Sequence, residues 1–182
     1  MTFSLEHWKN PRQTIATKFK NNDIAYATHG AMLAMEALCY INKPAGQLKS
    51  LKLLDYGCGT GRVARVLSGL FGEVYAYDPV KECIDLAKTE CVGINFHNIR
   101  YTSNINDIPS VDMAICINVI EHLTDIDVQR LVSNLKNKVS GPTYLWYSTV
   151  KNKNFMNKYL TKEQILEDST KTGINVRELY FT

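Results

Sequence analysis

Apolar positions recur at helical spacing over 24–41. Ala25, Ala27, Ala31, Met32, Leu33, Ala34, Met35, Ala37 and Leu38 predict a helix there, with Gly30 as a potential break. Pro44 and Gly46 stop it. Residues 1–50 hold few β-branched runs and read as a helical extension. From 51 onward the pattern changes. Short apolar runs at 51–55, 74–77, 94–101, 111–118, 143–150 and 176–181 read as strands. Helical patterns separate them at 60–71, 80–88 and 125–139, and a further helix opens at Thr161 with Gln164 as its capping-box partner. The helix over 60–71 is expected to bury Val63, Ala64, Val66 and Leu67 and to end at Gly72. The fourth strand is almost wholly apolar, as a strand covered on both faces should be. Strand and helix in alternation predict parallel βαβ units, hence an α/β fold in one domain over 1–182.

Composition narrows the class without naming a ligand. The chain has 182 residues, enough to bury a sizeable core, and 21% are charged. No apolar run approaches the roughly 20 residues of a membrane span. The opening residues from Met1 to Trp8 lack a basic segment followed by an apolar block, so no signal peptide is expected. Five scattered cysteines (Cys39, Cys58, Cys83, Cys91, Cys116) form no CxxC pair and read as reduced thiols of a cytoplasmic protein. Cys and His never cluster at ligand spacing, so no metal site is expected. A net charge of +3 is too small to imply nucleic acid. Lys151, Lys153, Lys158 and Lys162 concentrate the excess and read first as a solvated face.

Candidate chemistry lies at the first strand-to-helix turn, Asp55-Tyr56-Gly57-Cys58-Gly59-Thr60-Gly61. Glycine there permits positive φ and lets a ligand approach the backbone. The following helix start is expected to offer free N–H groups to an acidic ligand group. A P-loop would need GxxxxGK[ST], which is absent. A dinucleotide site would want glycine where Arg62 stands, and that side chain would crowd a pyrophosphate turn.

The remaining pattern, Asp-x-Gly-x-Gly-x-Gly, resembles the first motif of class I S-adenosylmethionine-dependent methyltransferases. That resemblance implies a Rossmann-like, doubly wound and mostly parallel sheet with helices on both faces, and S-adenosylmethionine as cofactor. Asp55, Tyr56, Gly57, Cys58, Gly59 and Gly61 would then contact the cofactor. Asp78, before Pro79 at the end of the second strand, matches the acid that binds ribose hydroxyls, a role that suits a two-oxygen acceptor. Alone, Asp78 could also be read as a helix cap before Pro79. The stretch from Ser103 to Pro109 is similar to the adenine-contacting segment, with Asn104 and Ile105 as its contacts and Asn104 in place of the usual acid. The segment from Asn118 through Val119, Ile120, Glu121 and His122 to Leu123 is similar to that of the branch acting on small molecules such as quinone precursors. The family's sheet has seven strands; six are predicted here before Thr182, so the edge is expected to be covered otherwise, a homodimer being one way.

Methyl transfer needs an acceptor placed in line, and a base only when a proton must leave. His122 is the candidate base, against a plain pocket-lining role. Glu121 is assigned a structural role. Tyr26 and His29 lie where a lid would form, though packing roles come first. Trp146 and Tyr147 point to opposite faces of the fifth strand, so one could reach the acceptor. Cys116 reads as a core thiol and Cys58 as a small filler. No prolines follow Asn118, which disfavours base-amine methylation. A small-molecule acceptor fits best. RNA or protein is the alternative, from the lysines with Phe155 and Tyr159. A non-catalytic cofactor-binding subunit also stands open.

Overall fold

A computed structural model describes residues 8–41, 43–90 and 96–146. Three helices come first: α1 (Pro11–Phe19), α2 (Asp23–Tyr40) and the short α3 (Ala45–Leu48). Asn10 and Asn22 cap α1 and α2 by accepting from the amides of Gln13 and Ala25. Gly30 does not break α2; it is buried within it. Five strands and three helices follow: β1 (Lys52–Tyr56), α4 (Arg62–Ser68), β2 (Glu73–Tyr77), α5 (Lys81–Glu90), β3 (Ile99–Thr102), β4 (Met113–Ile117), α6 (Asp125–Lys138) and β5 (Thr143–Trp146). The predicted helix opened by Thr161, the strand at 176–181, the lysine-rich stretch, Phe155, Tyr159 and Tyr147 lie outside the described residues. So does the sheet edge assigned to a homodimer.

All pairings are parallel, in the order β3-β2-β1-β4-β5. The two-residue period of the strands divides their side chains between two cores. Leu53, Val74, Ala76, Met113 and Ile115 face one core with Ala34, Ala37, Val63, Leu67 and Phe71 from the helices. Leu54, Tyr56, Tyr77, Ala114 and Cys116 face the other, packed on Val128, Leu131 and Leu135 of α6. Helices therefore cover both faces, and Cys116 is a core thiol as read. Strand order reverses between β1 and β4, which opens a crevice at their carboxyl ends.

Three boundaries differ from the sequence reading. α4 ends at Ser68, and Val66 stands exposed because positions 63, 64, 67 and 68 already form its buried face. Gly72 is not its cap: the Gly72 amide donates to Leu51 O at 3.1 Å, and a Cβ there would collide with the Lys49 carbonyl. The third strand starts late because Asn98 turns the chain. Its Nδ2 donates to Ser68 O (2.9 Å) and Phe71 O (3.0 Å), closing the end of α4.

Leu135 is fully buried in the second core and is not among the residues that line the cavity. Leu135→Ala should cost about 2–5 kcal/mol. Urea denaturation should show a lower midpoint with an unchanged slope.

Candidate active site

The turn after β1 places glycine where its φ demands it. Gly57, Gly59 and Gly61 have φ of 78°, 56° and 76°. At Gly57 a side chain would also strike Val119, and at Gly61 it would strike the Tyr101 ring. Only Gly59 has open space beside it. Gly61 thus serves packing against β3, whereas Gly57 and Gly59 line the crevice. Asn118, at the end of β4, also takes a left-handed conformation (φ 54°), which asparagine tolerates better than most residues.

Buried carboxylates hold this turn. Asp78 Oδ2 accepts from the Gly59 amide at 2.8 Å, and Oδ1 accepts from Val80 at 2.9 Å. Asp78 is therefore a cap and a loop anchor at once. Asp55, at the end of β1, is bonded by the Ala64 amide, while its Oδ2 has no partner. Burial raises Asp55 to about 7, helped by repulsion from Asp78. Burial likewise raises Asp78 to about 6, against the lowering effect of its two amide bonds.

The loop's amides are spent inside the protein. Gly57 and Cys58 donate to Tyr77 O at 2.7 and 2.9 Å, and Gly61 donates to Cys58 O at 2.9 Å. Of the helix-start amides expected to be free, that of Ala64 is taken by Asp55. Cys58 is buried, and burial raises its thiol well above the ordinary range. It fills space.

One cavity gathers much of the expected set. Asp55, Gly57, Cys58, Gly59, Asp78, Pro79, Asn118 and His122 line it. Tyr56 does not: its hydroxyl accepts from Asn134 Nδ2 at 3.0 Å on the α6 side, and its ring packs edge-on to Tyr77. Asn104 and Ile105 lie outside the cavity wall. Asn104 opens a 3₁₀ turn (Ile105–Asp107); its Oδ1 accepts from Asn106, and its Nδ2 donates to Asp107 at 3.0 Å.

The roof comes from the N-terminal helices and was only partly legible beforehand. Trp8, Phe19, Tyr26 and Leu33 line it. Tyr26 and Thr60 share a hydrogen bond between hydroxyls, and burial raises the Tyr26 phenol. His29 contacts Arg62 Nη1 at 2.6 Å, and burial with that neighbour's charge lowers its imidazole. Trp8 meets His122 edge-on, ring centroids 5.7 Å apart. Hydrophobic periodicity could not identify Trp8, Thr60 or Arg62 as cavity residues. Their roles depend on how α1 and α2 dock on the loop. Among the described residues no His, Cys, Asp and Glu cluster could hold a metal ion, and no helix is long and apolar enough to cross a membrane.

Comparison with known proteins agrees with this geometry. A methyltransferase-domain family model matches residues 53–140. A ubiquinone biosynthesis O-methyltransferase of Rickettsia akari is 29% identical over 157 residues, covering 72% of this chain and 62% of that protein. The chain thus spans less than two thirds of that relative. Among solved structures, the magnesium protoporphyrin IX methyltransferase of Synechocystis with bound SAH aligns with a TM-score of 0.66 and 15% identity, covering 85% of this chain and 75% of that one. A TehB-like SAM-dependent methyltransferase of Corynebacterium glutamicum aligns with a TM-score of 0.62 and 20% identity, covering 93% and 84%. These structures share the fold. Sheet order and glycine turn agree with the match to the methyltransferase-domain family over residues 53–140 and with the fold of the solved methyltransferase structures.

Proposed function

We propose that this chain transfers a methyl group from S-adenosylmethionine to an O, N or C atom of a small-molecule acceptor. One observation carries the reading: two buried carboxylates flank the glycine turn, and Asp55 lines the cavity with its buried Oδ2 lacking a partner. An unpartnered buried carboxylate oxygen is costly and suits a cationic or hydroxylic ligand group. The cofactor carries both kinds, an ammonium and a ribose diol. The relatives named for ubiquinone biosynthesis O-methylation support a small acceptor. Among the described residues, the cysteines at 39, 58, 83 and 116 are free thiols, which suits a cytoplasmic setting.

Asp55 takes the ammonium and Asp78 the ribose hydroxyls through the lone pairs its two amide bonds leave. Gly57 and Gly59 permit close approach. Asn104 keeps a second carbonyl lone pair for the adenine amino group. Tyr56 and Gly61 shape the turn from behind. The bound cofactor supplies an already activated methyl group, so positioning provides much of the rate. Thr60 and Tyr26 tie the roof to the turn, and the apolar wall from Leu33 to Val119 excludes water. His122, on a 3₁₀ turn (Ile120–His122) after β4, is placed to hold a proton leaving the acceptor, with its ring set against Trp8.

Asp78→Ala should weaken S-adenosylmethionine binding by at least about tenfold in calorimetry, one charged hydrogen-bonding partner being worth about that or more. Retained affinity would remove Asp78 from the ribose role. His122→Ala should lower kcat on hydroxyl acceptors by about 100-fold while leaving cofactor affinity unchanged. Near-normal turnover would leave His122 as a wall only.

Both acids hold protons more tightly when folded than an ordinary aspartate does, with values of about 7 and 6. Their folded-state values are raised, so ionisation opposes folding. The unliganded protein should lose stability as pH rises from about 4 to about 7 and then level off. A cationic ligand favours the ionised acids, so cofactor affinity should rise over the upper part of that range with release of protons. Calorimetry in buffers of different ionisation enthalpy measures that release. Affinity independent of pH between 5 and 7.5 would contradict it.

A further inference from the structure

Much of the glycine turn offers an anion little: the amides of Gly57, Cys58, Gly59, Gly61 and Ala64 are bonded within the protein, and Asp55 and Asp78 are acids. Two cations line the cavity, Lys18 from α1 and Arg62 from the start of α4. Arg62, the residue that argued against a dinucleotide turn, is half-buried and lines the cavity.

Its side chain is held by a built seat. The stem lies on Gly30, where an added Cβ would come within 2.9–3.2 Å of Arg62 Cβ, Cγ and Cδ. Gly30 thus admits Arg62 into the α2–α4 contact. The guanidinium faces the rings of Tyr26 (4.9 Å) and Phe19 (5.7 Å), and Nη1 meets His29 Nδ1 at 2.6 Å. Tyr26, whose phenol is raised by burial, is neutral at ordinary pH. Among the described residues no carboxylate forms an ion pair with Arg62, and Asp55 is the acid whose charge it feels. Burying a cation without a paired anion is expensive, and most of the five guanidinium donors are still to be satisfied.

We propose that Arg62 is an anion-binding residue that takes a ligand carboxylate in a two-point pair beneath α1 and α2. The carboxylate comes either from the aminoacyl tail of the cofactor or from an acid group on the acceptor. The first source rests on the proposed function; the second does not. In either case the side chain that binds the anion is also the one on which Phe19, Tyr26 and His29 pack, so anion binding and roof closure share one residue.

The test uses the full-length chain and four probes in calorimetry: S-adenosylmethionine, its decarboxylated analogue, benzoate and benzamide. Arg62→Met should leave the unliganded melting temperature unchanged or higher, since a half-buried cation becomes apolar. If the cofactor is the source, the wild type should prefer S-adenosylmethionine over the decarboxylated form by about ten- to a hundredfold, and Arg62→Met should erase that preference. If the acceptor is the source, the preference erased should be that for benzoate over benzamide. Arg62→Lys should keep part of either preference, since it retains the charge without the fork. Both preferences intact in Arg62→Met, or no preference in the wild type, would overturn the proposal. So would equal weakening of charged and neutral probes with a lowered melting temperature, which marks a structural arginine. If the wild type binds no S-adenosylmethionine, the proposed function fails, while the benzoate arm still decides for Arg62.

Discussion

The Asp78 carboxylate is the point on which the site depends. One oxygen holds the Gly59 amide and the other the Val80 amide. A single buried acid therefore ties the turn after β1 to the start of α5. Parallel pairing of β1 with β2 sets Tyr56 beside Tyr77, which brings both strand ends level and puts the Tyr77 carbonyl within reach of two loop amides. The turn is rigid before any ligand arrives. Its cost is the burial of both carboxylates, with the charge of Asp78 making the ionisation of Asp55 harder still. A site that repels its own charges in this way is prepared for a positive partner.

Much of this architecture was legible in the chain. The apolar runs located all five described strands, and the glycine turn stood between the right strand and helix. What one-dimensional pattern could not supply was direction. Val66 fits a helical stripe as well as Leu67 does, yet only the docking of α2 decides which of them is covered. Asn98 sits in a stretch that reads as strand, and its side-chain bonds to the end of α4 convert it to a turn. Tyr56 belongs to the glycine motif in sequence but points through the sheet, because alternate residues of a strand face opposite ways. Asn104 and Ile105 are a related case: the segment is where the pattern put it, but outside the cavity wall.

Arg62 and Gly30 show a different kind of gap. Read separately, the first is an awkward residue beside a glycine turn and the second a weak spot in a helix. Together they are a steric pair, the missing side chain at one making room for the long side chain of the other. Such complementarity is invisible in a periodicity and obvious in a contact. It also explains how a charged side chain can be half-buried beside α2: the stem fills the space left at Gly30, and the head meets His29 and Tyr26 of the same helix.

The match to the methyltransferase-domain family model starts at residue 53, but the hydrophobic core does not. Ala34, Ala37, Ile41 and Leu48 are almost wholly buried, in the same core as Leu53, Leu67 and Phe71. A recombinant fragment cut at the edge of the similarity would bare that side of α4 to water. It would present a contiguous apolar patch of the kind that drives self-association. The start of the family-model match and the start of the folded core are therefore different places in this chain, with α2 and α3 lying between them.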